Sequence, residues 1–65
     1  MTALIDRDKI GTTQFTELYE GGEVWIVDRG TKKEIKLDAK GTLKLLDFLL
    51  MHQSEIVFHA HEQDA

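Results

Sequence analysis

The sequence has no cysteine, and its apolar runs are short. Without cysteine there is neither a disulfide framework nor a thiolate zinc site. The longest apolar runs are residues 24–27 and 48–51, far too short to span a bilayer. The first residues also lack the basic region and apolar stretch of a signal peptide. The sequence therefore predicts a cytoplasmic protein with no membrane partner.

The chain also lacks the residue patterns that carry common catalytic chemistry. Its one serine, Ser54, is not flanked by the glycines of a nucleophile elbow. The Gly21-Gly22 pair lacks the lysine and the hydroxyl residue of a phosphate-binding loop. A chain of 65 residues has little material for a water-excluding pocket. We therefore expect a non-enzymatic protein without a cofactor.

Small size makes self-association a reasonable expectation. A domain of this length buries only about 60% of the surface that its unfolded chain exposes. No disulfide or metal compensates for the small core, so a second copy or a partner protein would bury apolar surface that one chain leaves in water.

The order of strand, turn and helix patterns along the sequence indicates an α+β fold: a three-stranded antiparallel meander followed by one C-terminal amphipathic helix. Strands are predicted over residues 12–19, 23–28 and 32–37, where aromatic, β-branched or alternating apolar residues occur. Gly21-Gly22 and residues 28–31 have the composition of tight turns. Residues 1–11 show no sustained period and are predicted to be a flexible N-terminal segment, leaving 12–65 as a single small domain.

Asp38 is the predicted N-cap of the helix. Beyond it, Leu43, Leu46 and Leu50 recur at helical spacing, and this face is expected to pack on the sheet. The predicted core comprises Val24, Ile26, Ile35, Leu37, Leu43, Leu46 and Leu50. Residues 55–60 also alternate as a strand would, but no glycine or proline interrupts 43–65, which favours a continuous helix.

The helix carries more apolar residues than one face requires. Leu45, Phe48 and Met51 lie off the face set by Leu43, Leu46 and Leu50. Because a helix that is apolar on several sides is usually covered on several sides, these three residues are candidate partner-binding residues. The first function hypothesis is thus a protein-binding module, such as a regulator, inhibitor or adaptor, that binds itself as a homodimer or another protein.

Histidines near the C-terminus raise the question of a metal site. On a helix, His52, Glu55 and His59 share one face, and in an extended segment His59 and His61 would do so. There is no His-Glu-x-x-His motif and no second ligand cluster, so a polar helix end explains these residues better and no metal is expected.

Charge supplies the second function hypothesis. The formal net charge is −4, yet residues 29–44 are net positive. Trp25 and Tyr19, if they lie on an open sheet face, could stack bases of single-stranded nucleic acid while the basic residues of this block contact its phosphates. The candidate residues are Trp25, Arg29, Lys32, Lys33, Lys36, Lys40 and Lys44. A solvated basic face is the alternative explanation, and overall acidity favours the protein-binding hypothesis.

A meander followed by a helix resembles, in order of elements over residues 12–57, the single-strand-binding domains of the positive-cofactor family of transcription coactivators. The sequence contains no residue motif of that family, so the likeness assigns no site residues.

Overall fold

The computed structural model describes residues 3–64, which form a four-stranded antiparallel sheet followed by two helices. The strands are β1 (Leu4–Lys9), β2 (Gln14–Tyr19), β3 (Val24–Asp28) and β4 (Lys33–Leu37), paired in chain order. The helices are α1 (Ala39–Met51) and α2 (Gln53–Asp64). The predicted α+β class is confirmed, whereas the predicted number of strands and helices is wrong.

The additional strand, β1, lies within the segment that we predicted to be a flexible lead-in. Its sequence alternates acidic and basic residues from Asp6 to Lys9, so it lacks the β-branched pattern by which strands are recognised. It is held by antiparallel pairing with β2, in which Arg7 lies opposite Glu17 and Lys9 opposite Phe15. Cross-strand partners, rather than intrinsic propensity, therefore place this edge strand.

The glycine turn between β2 and β3 agrees with the prediction. Gly21 and Gly22 have φ angles of 89° and 82°, values that glycine adopts without steric cost. The turn between β3 and β4 is different, because its residue with a positive φ is Lys32, at 61°, and not Gly30. Asp28 stabilises this turn by accepting hydrogen bonds from the backbone N–H groups of Gly30 at 2.8 Å and Thr31 at 3.2 Å.

Asp38 is the N-cap of α1, as predicted, and its carboxylate accepts a 2.7 Å hydrogen bond from the backbone N–H of Gly41. The predicted single helix is interrupted at His52, whose φ of −109° and ψ of 19° are not helical. Helical structure resumes at Gln53, and residues 55–60 are helical rather than extended.

The described residues contain no buried apolar side chain. Three residues of the predicted core are half-buried: Val24, Ile26 and Leu37. The others are exposed, namely Ile35 and the three helix leucines that we expected to face the sheet. The helices extend away from the sheet, and the radius of gyration of 13.3 Å exceeds the roughly 11 Å typical of a compact chain of this length. The predicted packing of the helix on its own sheet is therefore absent. No helix among residues 3–64 is long and apolar enough to cross a membrane.

Candidate functional site

The two faces of the sheet have different chemistry. Side chains alternate along each strand, and residues directly opposite on paired strands share a face. One face, called here the apolar face, carries Leu18, Val24, Ile26, Ile35 and Leu37. The other, called here the basic aromatic face, carries Arg7, Lys9, Phe15, Glu17, Tyr19, Trp25, Val27, Glu34 and Lys36.

A buried carboxylate lies at the centre of the basic aromatic face. Glu17 is the one buried charged or polar residue among those described. Its carboxylate is 2.6 Å from the Arg7 guanidinium and accepts a 3.0 Å hydrogen bond from the Tyr19 hydroxyl. Two effects raise the pKa of Tyr19 above its usual range: its hydroxyl is partly removed from water, and it donates this hydrogen bond to Glu17. The Arg7–Glu17 pair joins β1 to β2, and Tyr19 supports the Glu17 carboxylate from within β2.

Aromatic rings and cations are interleaved around this centre. The Tyr19 and Trp25 ring centroids are 4.4 Å apart, and the ammonium of Lys36 lies 4.4 Å from the Trp25 centroid. The Arg29 guanidinium, which follows β3, lies 4.8 Å from the centroid of Phe15. Cations over aromatic faces are held by the ring quadrupole, and this arrangement can also receive a flat ligand ring with an anionic group beside it.

Asp28 fixes the loop from which Arg29 extends. Its carboxylate accepts hydrogen bonds from the Thr13 hydroxyl at 2.8 Å and the Gln14 amide at 2.9 Å, besides the two backbone N–H groups of its own turn. These donors, the Thr13 hydroxyl most of all, lower the pKa of Asp28 from 3.8 to about 2. The β1–β2 and β3–β4 loops are thereby tied together.

Strand β1 places its basic side chains on one face of the sheet and its acidic side chains on the other, which the sequence did not indicate. Arg7 and Lys9 lie on the basic aromatic face, whereas Asp6 and Asp8 lie opposite Leu18 and Thr16 on the apolar face. Along the sequence Arg7 and Lys9 stand next to Asp6 and Asp8, and the strand register that separates the two signs is not visible there.

The basic residues proposed from the sequence do not form one surface. Trp25, Arg29 and Lys36 lie together on the basic aromatic face. Lys33 is opposite Asp28 on the other face of the sheet, and Lys32 is in the turn. Lys40 and Lys44 belong to α1. Tyr19, which the sequence already suggested beside Trp25, belongs to this surface. Sequence reasoning missed three of its members: Phe15, Arg7 and Lys9.

The helix α1 presents a second candidate surface. Leu43, Leu46 and Leu50, called here the leucine stripe, share one side of the helix and are 50–56% exposed. Among the residues proposed for partner binding, Leu45 is half-buried, whereas Phe48 and Met51 are exposed at 59% and 77%. The three leucines that we expected to face the sheet are thus more exposed than Leu45, which we expected to lie off that face.

The histidines of the C-terminal region do not converge. His59 lies between Glu55 at 3.0 Å and Glu62 at 3.3 Å, while the ring of His52 packs on Phe48 with centroids 4.9 Å apart. Within the described residues, no group of three or more histidine, aspartate or glutamate side chains is arranged to hold a metal ion.

Comparison of this chain with protein-family models, with curated proteins and with solved structures finds no match.

Proposed function

We propose that this chain is a non-enzymatic, self-associating binding module. The exposed apolar surface carries the proposal: the leucine stripe is exposed, the apolar face of the sheet is at most half-buried, and none of the described apolar side chains is buried. So many exposed large apolar side chains on a small protein mark a protein interaction site. The cytoplasmic setting expected from the cysteine-free composition belongs to the same proposal.

The accessible surface of the chain indicates how much area a second copy would cover. The chain exposes 5476 Å², whereas a compact monomer of 7.4 kDa would expose about 4,200 Å². The excess of about 1,300 Å² is at least as large as the roughly 800 Å² that each partner buries in a stable complex. A second copy is the simplest occupant, because it supplies the same apolar surface in equal amount.

Sedimentation equilibrium over a concentration series tests the proposal. We expect the wild-type chain to be a dimer at micromolar concentration. Leu46→Asp should shift it to monomer, since this change places a charge on the leucine stripe. Thr12→Asp introduces the same charge at an exposed position in the β1–β2 loop, away from α1, and is the matched control. A wild-type chain that sediments as a 7.4 kDa monomer at every concentration would refute self-association.

A second candidate function, single-stranded nucleic-acid binding, is supported by the basic aromatic face. Stacking of bases on aromatic rings, with cations on the phosphates, is the usual mode for such ligands. The Trp25 ring is half-buried and is covered by Lys36. A base that stacks on Trp25 displaces the ammonium of Lys36, which then lies beside the phosphate of that nucleotide.

The ion pairs on this face set the expected salt dependence. Arg7 is paired with Glu17, and Lys36 lies 3.3 Å from Glu34. Lys9 and Arg29 form no ion pair with another described residue. Two to three phosphate contacts would give a slope of about −1.4 to −2 in log affinity against log salt, at −0.7 per contact.

Fluorescence anisotropy with a labelled oligothymidine at ~20 mM salt tests this second candidate. Arg29→Glu should weaken binding several-fold. Lys33→Glu makes the same charge change on the opposite face of the sheet and should leave affinity nearly unchanged. Equal losses in both variants would indicate a non-specific charge effect, and no binding at high micromolar protein would eliminate the candidate.

A further inference from the structure

We infer that two copies associate through an antiparallel pairing of their α1 helices, with Leu43 of one copy against Leu46 of the other; this rests on the self-association proposed above. The inference begins with the flanks of the leucine stripe. Lys40 and Asp47 lie along one flank, while Thr42 and Leu49 lie along the other. One flank is therefore charged and the other is not.

Orientation decides which flanks meet. In a parallel pair of helices each flank lies against the opposite flank of its partner, so Lys40 and Asp47 would face uncharged side chains. In an antiparallel pair each flank lies against the same flank of the second copy, in reversed order. Residues that flank a helix–helix contact select orientation through such charge pairing. The charged flank of α1 therefore favours the antiparallel arrangement.

Charge also selects the register. Placing Leu43 against Leu46 of the second copy brings Lys40 next to Asp47 of that copy, and two-fold symmetry forms the same ion pair twice. Sliding one helix by a heptad brings Asp47 against Asp47 of the second copy, which is repulsive. In the favoured register Ala39 lies opposite Leu50 of the second copy, so the two α1 helices overlap along nearly their whole length.

This register also gives a partner to exposed apolar side chains outside α1, on α2 and on the apolar face of the sheet. Since Ala39 faces Leu50 of the second copy, helix α2 of that copy extends past the start of α1 toward the sheet. Ile56 and Val57 on α2 are exposed at 46% and 42%, and Ile35 on the apolar face at 58%. The antiparallel arrangement brings these apolar side chains from two copies toward one another.

Engineered cysteines test the arrangement cleanly, because the chain has none of its own. Ala39→Cys and Leu50→Cys chains are mixed in a glutathione redox buffer and analysed by intact mass. The antiparallel register predicts the mixed disulfide, because these positions are opposite. Each variant alone should stay reduced, since identical positions lie about 16 Å apart along the axis.

The outcomes separate this inference from the proposed function. Disulfides between two Leu50→Cys chains would show a parallel pair and overturn the inference, although self-association would stand. A dimer by sedimentation that forms no mixed disulfide would remove α1 from the interface in this register. A monomer by sedimentation would refute the proposed function itself.

Exchanging the charges of Lys40 and Asp47 tests their pairing independently of the disulfide experiment. Asp47→Lys should weaken the dimer roughly 5- to 30-fold, because two attractive pairs become repulsive. Adding Lys40→Asp should restore much of the affinity. Lys44→Asp changes charge by the same amount away from the contact and serves as the control. Failure of the double variant to recover affinity would contradict the Lys40–Asp47 pairing.

Discussion

The Arg7 guanidinium lies 2.6 Å from the buried Glu17 carboxylate, across the boundary between β1 and β2. Arg7 itself is about half exposed, whereas the Glu17 side chain is only 9% exposed. The pair is therefore asymmetric: Arg7 can return to water if the contact breaks, but Glu17 cannot do so without separating the strands.

Arg7→Ala should destabilise the protein by about 1–3 kcal/mol, since it leaves a buried carboxylate with the Tyr19 hydroxyl as its remaining described partner. Urea denaturation measures the loss. Lys9→Ala, on the same strand and face, is the control and should change stability by less than about 0.5 kcal/mol. Equal losses would mean that the Arg7–Glu17 contact contributes nothing specific.

Asp28 should make stability depend on pH in the acid range. Its pKa is about 2 in the folded chain and near 3.8 when unfolded, so the unfolded state binds the proton first as pH falls. The stabilisation is complete above about pH 4 and is lost as pH falls toward 2. Thermal melts from pH 5 to 2 should show a smaller decline for Asp28→Asn than for wild type. Parallel curves would show that Asp28 titrates normally.

Removal of the N-cap should destabilise α1. Asp38→Ala loses the hydrogen bond to the Gly41 N–H and should lower stability by about 1 kcal/mol. Asp38→Asn keeps an acceptor at the same place and should lose much less. Circular dichroism and urea denaturation measure both variants, and an unchanged Asp38→Ala chain would show that α1 does not depend on this cap.

The two turn glycines provide a matched comparison. Both have positive φ, so alanine is strained at either position. At Gly22 the added Cβ would also lie 3.1 Å from the Cβ of Ala39 at the start of α1, whereas at Gly21 it meets open space. Gly22→Ala should therefore lower the melting temperature more than Gly21→Ala. If the two melt alike, the turn and the helix do not restrain one another.

Local sequence signals predicted β2, β3, β4 and the Asp38 cap, because these elements depend on side chains that act within a few residues. They did not predict β1, whose charged residues depend on partners such as Glu17 in another strand. The composition of the basic aromatic face was missed for the same reason, since Lys9 joins Phe15 only through the register of β1 and β2.

The burial of the leucine stripe against the sheet was also predicted wrongly, and here the reason is different. Helical periodicity correctly grouped Leu43, Leu46 and Leu50, but periodicity does not say what covers a face. We assumed that the strongest apolar stripe packs inside its own chain. The exposure of Leu46, at 50%, shows that this assumption fails here, because the sheet of the same chain does not cover the stripe.

The absence of a buried apolar side chain among residues 3–64 has a consequence for how this protein exists at low abundance. If association supplies most of the apolar burial, folding and assembly become one bimolecular event, and the folded fraction depends on the total concentration of the chain. Dilution then acts as a denaturant does. A cell that makes few copies would hold mainly unfolded chains, which proteases remove, so the protein accumulates only above a threshold rate of synthesis.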